Sequence, residues 1–126
     1  MSKNRIVVER YFDALNSADF SELREVFSPD IELIPVGARS RTGVEEVVGF
    51  LARVFEIFPD HQDLPTRIIE AGDTLVVEID FVGKSSEDRE VAFQAVDVFD
   101  LIDGRIIKLS QWFDTADLAR QVDKSS

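Results

Sequence analysis

Asp97 stands in the middle of the most apolar extended stretch of the chain, between Val91 and Ile102, and shares its alternating face with Phe93, Ala95, Phe99 and Leu101. A carboxyl group withdrawn from water is tolerated when it is hydrogen-bonded, paired or kept protonated, and those conditions are what make an acid useful to a bound ligand. Tyr11, near the buried stripe of an amphipathic N-terminal segment, is a candidate to meet it. A phenol and a carboxyl group that enter one apolar cavity could hydrogen-bond a polar group of a ligand. The competing reading is a satisfied buried hydrogen bond that only orients the core. His61, the one histidine, directly follows Phe58, Pro59 and Asp60. At a pocket mouth it could shuttle a proton, and as an ordinary loop histidine it would be solvated. Gln111 could offer its amide to a ligand if its strand face is inward, with Phe113 on the same parity and Phe55, Phe81 and Phe99 as apolar walls.

These groups need elements to position them. The first five apolar residues at helical spacing (Ile6, Val7, Tyr11, Ala14, Leu15) predict an amphipathic helix over about residues 3–16. Asp19 and Glu22 have capping-box spacing ahead of a second helix that Pro29 stops, and a strand is expected at 30–36. Residues 37–41 read as a loop. Thr42 with Glu45 then caps a third helix, whose Val44, Val47, Val48, Leu51, Phe55 and Phe58 keep its period until Pro59. Beyond it the period changes to two, which predicts strands at 66–71, 74–83, 90–102 and 105–113 joined by hairpin connections. A short helix at 115–122 and a frayed end at 123–126 close the chain. Three helices in front and five strands behind predict an α+β fold: a curved antiparallel sheet covered by helices, cone-shaped, with an apolar cavity where the layers diverge.

Composition agrees with one domain over residues 1–126: 44% of the residues are hydrophobic and ten are Phe, enough for one substantial core. Fourteen basic against twenty-five acidic residues leave a net charge of −11, a field that repels phosphate backbones and anionic lipid heads, so neither nucleic acid nor a membrane is an expected partner. With no cysteine there is no thiolate chemistry, and a reducing cytoplasm suits the chain. The opening residues lack the apolar core of a secretion signal and no run reaches membrane-spanning length. No HExxH, EF-hand or His/carboxylate cluster suggests a metal, and no cofactor is expected.

Nearly the whole chain resembles the nuclear transport factor 2-like fold, in its ketosteroid isomerase and SnoaL-like polyketide cyclase branch. The resemblance rests on Arg10-Tyr11-Phe12, on Pro35-Val36-Gly37 followed by Thr42-Gly43, and on Phe58-Pro59-Asp60. It continues through Glu70-Ala71-Gly72-Asp73, Val96-Asp97-Val98-Phe99 with Asp103-Gly104-Arg105-Ile106, and Trp112-Phe113-Asp114 leading into Leu118-Ala119-Arg120-Gln121. The steroid isomerase pattern implies an oxyanion-holding tyrosine at Tyr11 and a protonated, oxyanion-holding aspartic acid at Asp97. It puts the isomerase's general base at Ile34, which cannot accept a proton. Glu32, two residues earlier and on the same strand face, is a conceivable substitute, against a solvated glutamate at a strand end. The SnoaL-like cyclases imply an acid/base aspartate at Asp114, which is equally well placed to cap the last helix and has the wrong parity if Gln111 and Phe113 face inward.

Three functions remain open from the sequence. One is a cofactor-independent enzyme acting on a small apolar carbonyl compound, by proton abstraction with isomerisation or ring closure, with hydrolysis or dehydration as variants. Another is a carrier or sensor of such a ligand, favoured by Ile34. The third is an interaction module, since Trp112 with Val96, Val98 and Ile102 on the alternate sheet face predicts a homodimer built sheet against sheet.

Overall fold

The computed structural model describes residues 2–123. Helix α1 (Lys3–Ser17) opens on Ser2, whose hydroxyl accepts from the Arg5 N–H, and ends at Ala18 in the left-handed region. Helix α2 (Phe20–Val26) is capped by Asp19, which accepts from the Glu22 N–H; the Glu22 carboxylate turns to Arg10 rather than back to the cap, so half of the expected box forms. Strand β1 (Phe27–Pro35) follows without a break, earlier than the sequence suggests, and β2 (Arg41–Thr42) pairs with it at Glu32 and Leu33. Taking Thr42 into that pairing removes it as a cap. Helix α3 (Val44–Ile57) starts instead at Gly43, with φ of 96° and no capping side chain.

The largest departure is β3 (Asp60–Ala71), which begins six residues before the expected start. Pro65 can be carried because β3 is an edge strand and the register shifts between Pro65 and Arg67. At its beginning His61 pairs with Gly83, where any Cβ would lie 2.5 Å from the Asp60 carbonyl oxygen. That close approach is what extends the strand back to the residues that matter below. Strands β4 (Thr74–Lys84), β5 (Glu90–Ile102) and β6 (Arg105–Phe113) follow as expected, then helix α4 (Thr115–Val122). The β5–β6 turn carries Asp103 and Gly104 at φ of 51° and 77°, both positive as a two-residue turn that follows the strand twist requires. Of the expected frayed end, residues 124–126 lie outside the described residues.

The sheet has six strands in the order β2-β1-β6-β5-β4-β3, curved and unclosed. All its pairings are antiparallel except β1 with β6, which the intervening helices and hairpins make parallel. Its inner face packs under α1, α2 and α3 in a core that includes Val8, Leu23, Ile31, Leu33, Leu75 and Leu109, all fully buried. A second cluster of Phe58, Phe81 and Val91 lies toward α4, with Leu118 and Val122 against it. No helix among the described residues is long and apolar enough to cross a membrane.

Candidate functional site

A cavity of about 200 Å³ opens between the end of α1, α3, α4 and the inner face of the sheet. That volume is below the usual range for drug-sized ligands and suits a molecule of one or two rings. Alternation along each strand decides what enters it: His61 and Asp63 from β3, Ile79 and Phe81 from β4, Phe93, Ala95 and Asp97 from β5, Gln111 and Phe113 from β6. Phe81, Phe93 and Phe113 form a row across three strands with ring centroids 4.7 and 5.0 Å apart, and Phe55 comes down from α3. The walls are therefore largely aromatic, and three ionisable side chains interrupt them.

Asp97 is 4% exposed and borders the cavity. Burial first and Asp63 second push its carboxyl group well above the ordinary range, which favours its protonated form. Gln111 is its register partner on β6 and borders the same space.

Asp63 is the site residue that the sequence reading missed. Burial raises its pKa to about 6, and His61 works in the opposite direction. Its backbone is locked to the end of α1 by a reciprocal pair: the Asp63 N–H donates to Asn16 Oδ1 at 2.8 Å and Asn16 Nδ2 donates to the Asp63 carbonyl at 2.9 Å. The available signal was its spacing of two from His61, which puts both on one face as soon as residues 60–65 are extended rather than looped.

His61 is not a solvated loop residue. It is buried in β3 and stacked on Phe55 at 4.3 Å and 5°. Its Nδ1 lies 2.9 Å from the Phe58 carbonyl oxygen and its Nε2 lies 2.8 Å from that of Leu15. Leu15 lies in the last turn of α1 and Phe58 is the C-cap of α3, so the ring ties both helix ends to the sheet. Both ring nitrogens face backbone carbonyls, so neither is left free for a ligand.

Tyr11 is fully buried but does not border the cavity. Its ring packs edge-on against Phe12 and Phe99, and its hydroxyl makes no hydrogen bond of ordinary geometry. Burial, then Asp97, then Asp63 push it up well beyond a free phenol, with the Gln111 side chain opposing them. It stands behind Asp97 as an electrostatic neighbour.

Three candidates lie elsewhere. Glu32 and Ile34 do share a face, but Ile31, Leu33 and Pro35 are the buried side of β1, so both point away from the cavity. Phe99 is fully buried in the core against Tyr11 and Phe12 and lines nothing. Asp114 is exposed and caps α4, its carboxylate accepting from the Asp117 N–H at 2.9 Å, as the parity of Gln111 and Phe113 requires. Asp114→Ala is expected to cost about 1 kcal/mol, the usual value of an N-cap, read as a lower denaturation midpoint.

Among the described residues no group of three or more His, Cys, Asp or Glu is placed to hold a metal ion. The model of the SnoaL-like domain matches residues 8–109. No curated protein sequence matches the chain. Among solved structures, an NTF2-like protein of unknown function from Burkholderia pseudomallei superposes with a TM-score of 0.91 at 22% identity, covering 97% of this chain and 98% of that one. A protein described as a SnoaL-like polyketide cyclase from Jannaschia sp. gives 0.90 at 24% identity, over 97% and 92%. An LEH-like epoxide hydrolase from M. tuberculosis gives 0.83 at 22% identity, over 95% and 89%. These likenesses establish the fold.

Proposed function

Because the chain belongs to the SnoaL-like domain family, we propose that its cavity takes a small, neutral, apolar carbonyl compound and moves a proton on it without a cofactor, as an isomerase or cyclase does. The observation that carries this reading is Asp97: an acid buried in the lining of an aromatic cavity, whose surroundings favour its protonated form. Such a group donates a strong hydrogen bond to an oxygen on which charge develops, and in a dry cavity that bond strengthens as the charge grows. Gln111 beside it supplies a second polar contact. A neutral ligand is favoured over an anionic one, since the described residues that line the cavity include no Lys or Arg to pair with an anion. A cytoplasmic location, suited to a chain without cysteine, belongs to the same proposal.

The test uses 2-tetralone as a carbonyl probe and 2-naphthol as a mimic of its enolate. The protein should accelerate exchange of the α-protons of 2-tetralone with deuterated water, followed by NMR, and should bind 2-naphthol. Binding without exchange would instead support a carrier, the reading that Ile34 favours. Neither binding nor exchange with any apolar carbonyl probe would leave the fold as an interaction module.

We propose further that the outer face of the sheet receives a second copy of this chain. Trp112 and Ile102 are half-exposed there, beside Val96 and Val98. Charge on a patch that meets itself across a two-fold axis is self-complementary when both signs are present, as they are on this face, with Arg67 paired to Glu78 and Lys108 opposite Asp100 in a chain that is otherwise strongly acidic. Light scattering should give a dimer mass that Trp112→Glu reduces to the monomer; a monomer for the unaltered chain down to micromolar concentration excludes it.

A further inference from the structure

We infer that Asp63 is the general base of this site, the group that takes the proton from the bound compound. The inference rests on reading the cavity as a proton-transfer site. Among the described residues, the ionisable side chains that border the cavity are His61, Asp63 and Asp97. Both His61 nitrogens are aimed at the Leu15 and Phe58 carbonyl oxygens, so neither is directed at a ligand. Asp97 has nothing that favours its ionised form among its principal influences, and Asp63 itself works against it. Glu32 and Asp114 lie outside the cavity. Asp63 remains, and its setting suits the task. The Asn16 clamp engages only the backbone of this cavity-lining residue, which fixes the strand and leaves the carboxylate out of the clamp. The His61 ring, two residues away on the same face, favours the ionised form of Asp63.

Two carboxyl groups in one cavity with unlike surroundings divide into an acid and a base. The C–H bond next to the carbonyl breaks, its proton passes to an Asp63 oxygen and its electron pair becomes the C=C bond of the enolate. The carbonyl π pair moves onto oxygen, which Asp97 holds through its O–H. Asp63 then returns the proton to another carbon of the delocalised enolate, or to the same carbon in simple exchange. Asp97 keeps its own proton throughout, and no co-reactant is consumed.

The experiment compares the intact protein with Asp63→Asn and Asp63→Ala on 2-tetralone exchange, 2-naphthol binding and rescue by added acetate. Asp63→Asn is expected to slow exchange about 10²- to 10⁴-fold, the usual contribution of a general base, while 2-naphthol binding persists because Asp97 is intact. In Asp63→Ala, acetate should recover part of the rate by occupying the vacated space. The pH profile of the intact protein should rise through about 6 and level, as a base that must be ionised requires. Undiminished exchange in Asp63→Asn overturns the assignment and leaves the proposed function standing. Loss of exchange together with 2-naphthol binding, without acetate rescue, also overturns it by making Asp63 structural. An intact protein that binds 2-naphthol but exchanges nothing removes the proton-transfer function and this assignment with it.

Discussion

Asp97→Leu is expected to slow α-proton exchange of 2-tetralone by about 10²- to 10³-fold, the cost of deleting one preorganised donor at a developing oxyanion. Leucine has nearly the shape of aspartate and cannot donate. Asp97→Asn, which keeps the shape and a weaker N–H donor, should fall between the two. The same substitution should make the protein more stable at neutral pH. Below about pH 4 the carboxyl group is protonated in the folded and unfolded chains alike and adds no pH dependence. As pH rises above that, the unfolded chain ionises at 97 while the folded chain, with its pKa raised by burial and by Asp63, does not. The unfolded state then binds fewer protons, so stability falls with rising pH until the folded group also ionises. Leucine removes that slope. Denaturant midpoints from pH 4 to 8 for both proteins provide the check: the gap should widen in favour of the variant as pH rises. Equal slopes, or exchange unaffected by leucine, would show that Asp97 is an ordinary carboxylate and would remove the oxyanion role.

Phe99→Ala should cost about 3–5 kcal/mol, as truncation of a fully buried phenylalanine does, and that is a large part of the 5–15 kcal/mol that typically holds a domain folded. The ring is fully buried and makes edge-on contacts with Tyr11 at 5.2 Å and Phe12 at 5.8 Å, so no neighbour can collapse into the space without losing its own packing. Urea denaturation reads the loss. Because Phe99 does not border the cavity, 2-naphthol affinity should hold at temperatures where the variant remains folded. A variant that keeps its stability and loses the ligand would return Phe99 to the cavity wall. The contrast with Asp97 separates two uses of a buried side chain on one strand face: position 97 costs stability for chemistry, and position 99 supplies the stability.

Much of this was legible locally. The Asp19 cap, the period of α1 and α3, and the Asp103-Gly104 turn depend on residues a few positions apart, so the sequence carries them directly. The alternation of β5 likewise announces that Asp97 and Phe99 point inward together, and that of β6 that Gln111 and Phe113 oppose Trp112 and Asp114. Other features needed partners distant in the chain. Thr42 is drawn from a cap into a strand by Glu32, and residues 60–65 become a strand because Gly83 admits the Asp60 carbonyl. Asp63 thereby joins His61 on the inner face. Alternation determines which residues share a face; it does not determine which face meets empty space. Glu32 shares its face with Ile34 as the alternation requires, but that face is the one turned from the cavity, and Phe99 shares a face with Asp97 yet lies in solid core. Where the inner face is packed and where it is hollow depends on how α1, α3 and α4 seat against a twisted sheet, a long-range balance of packing that no local period encodes.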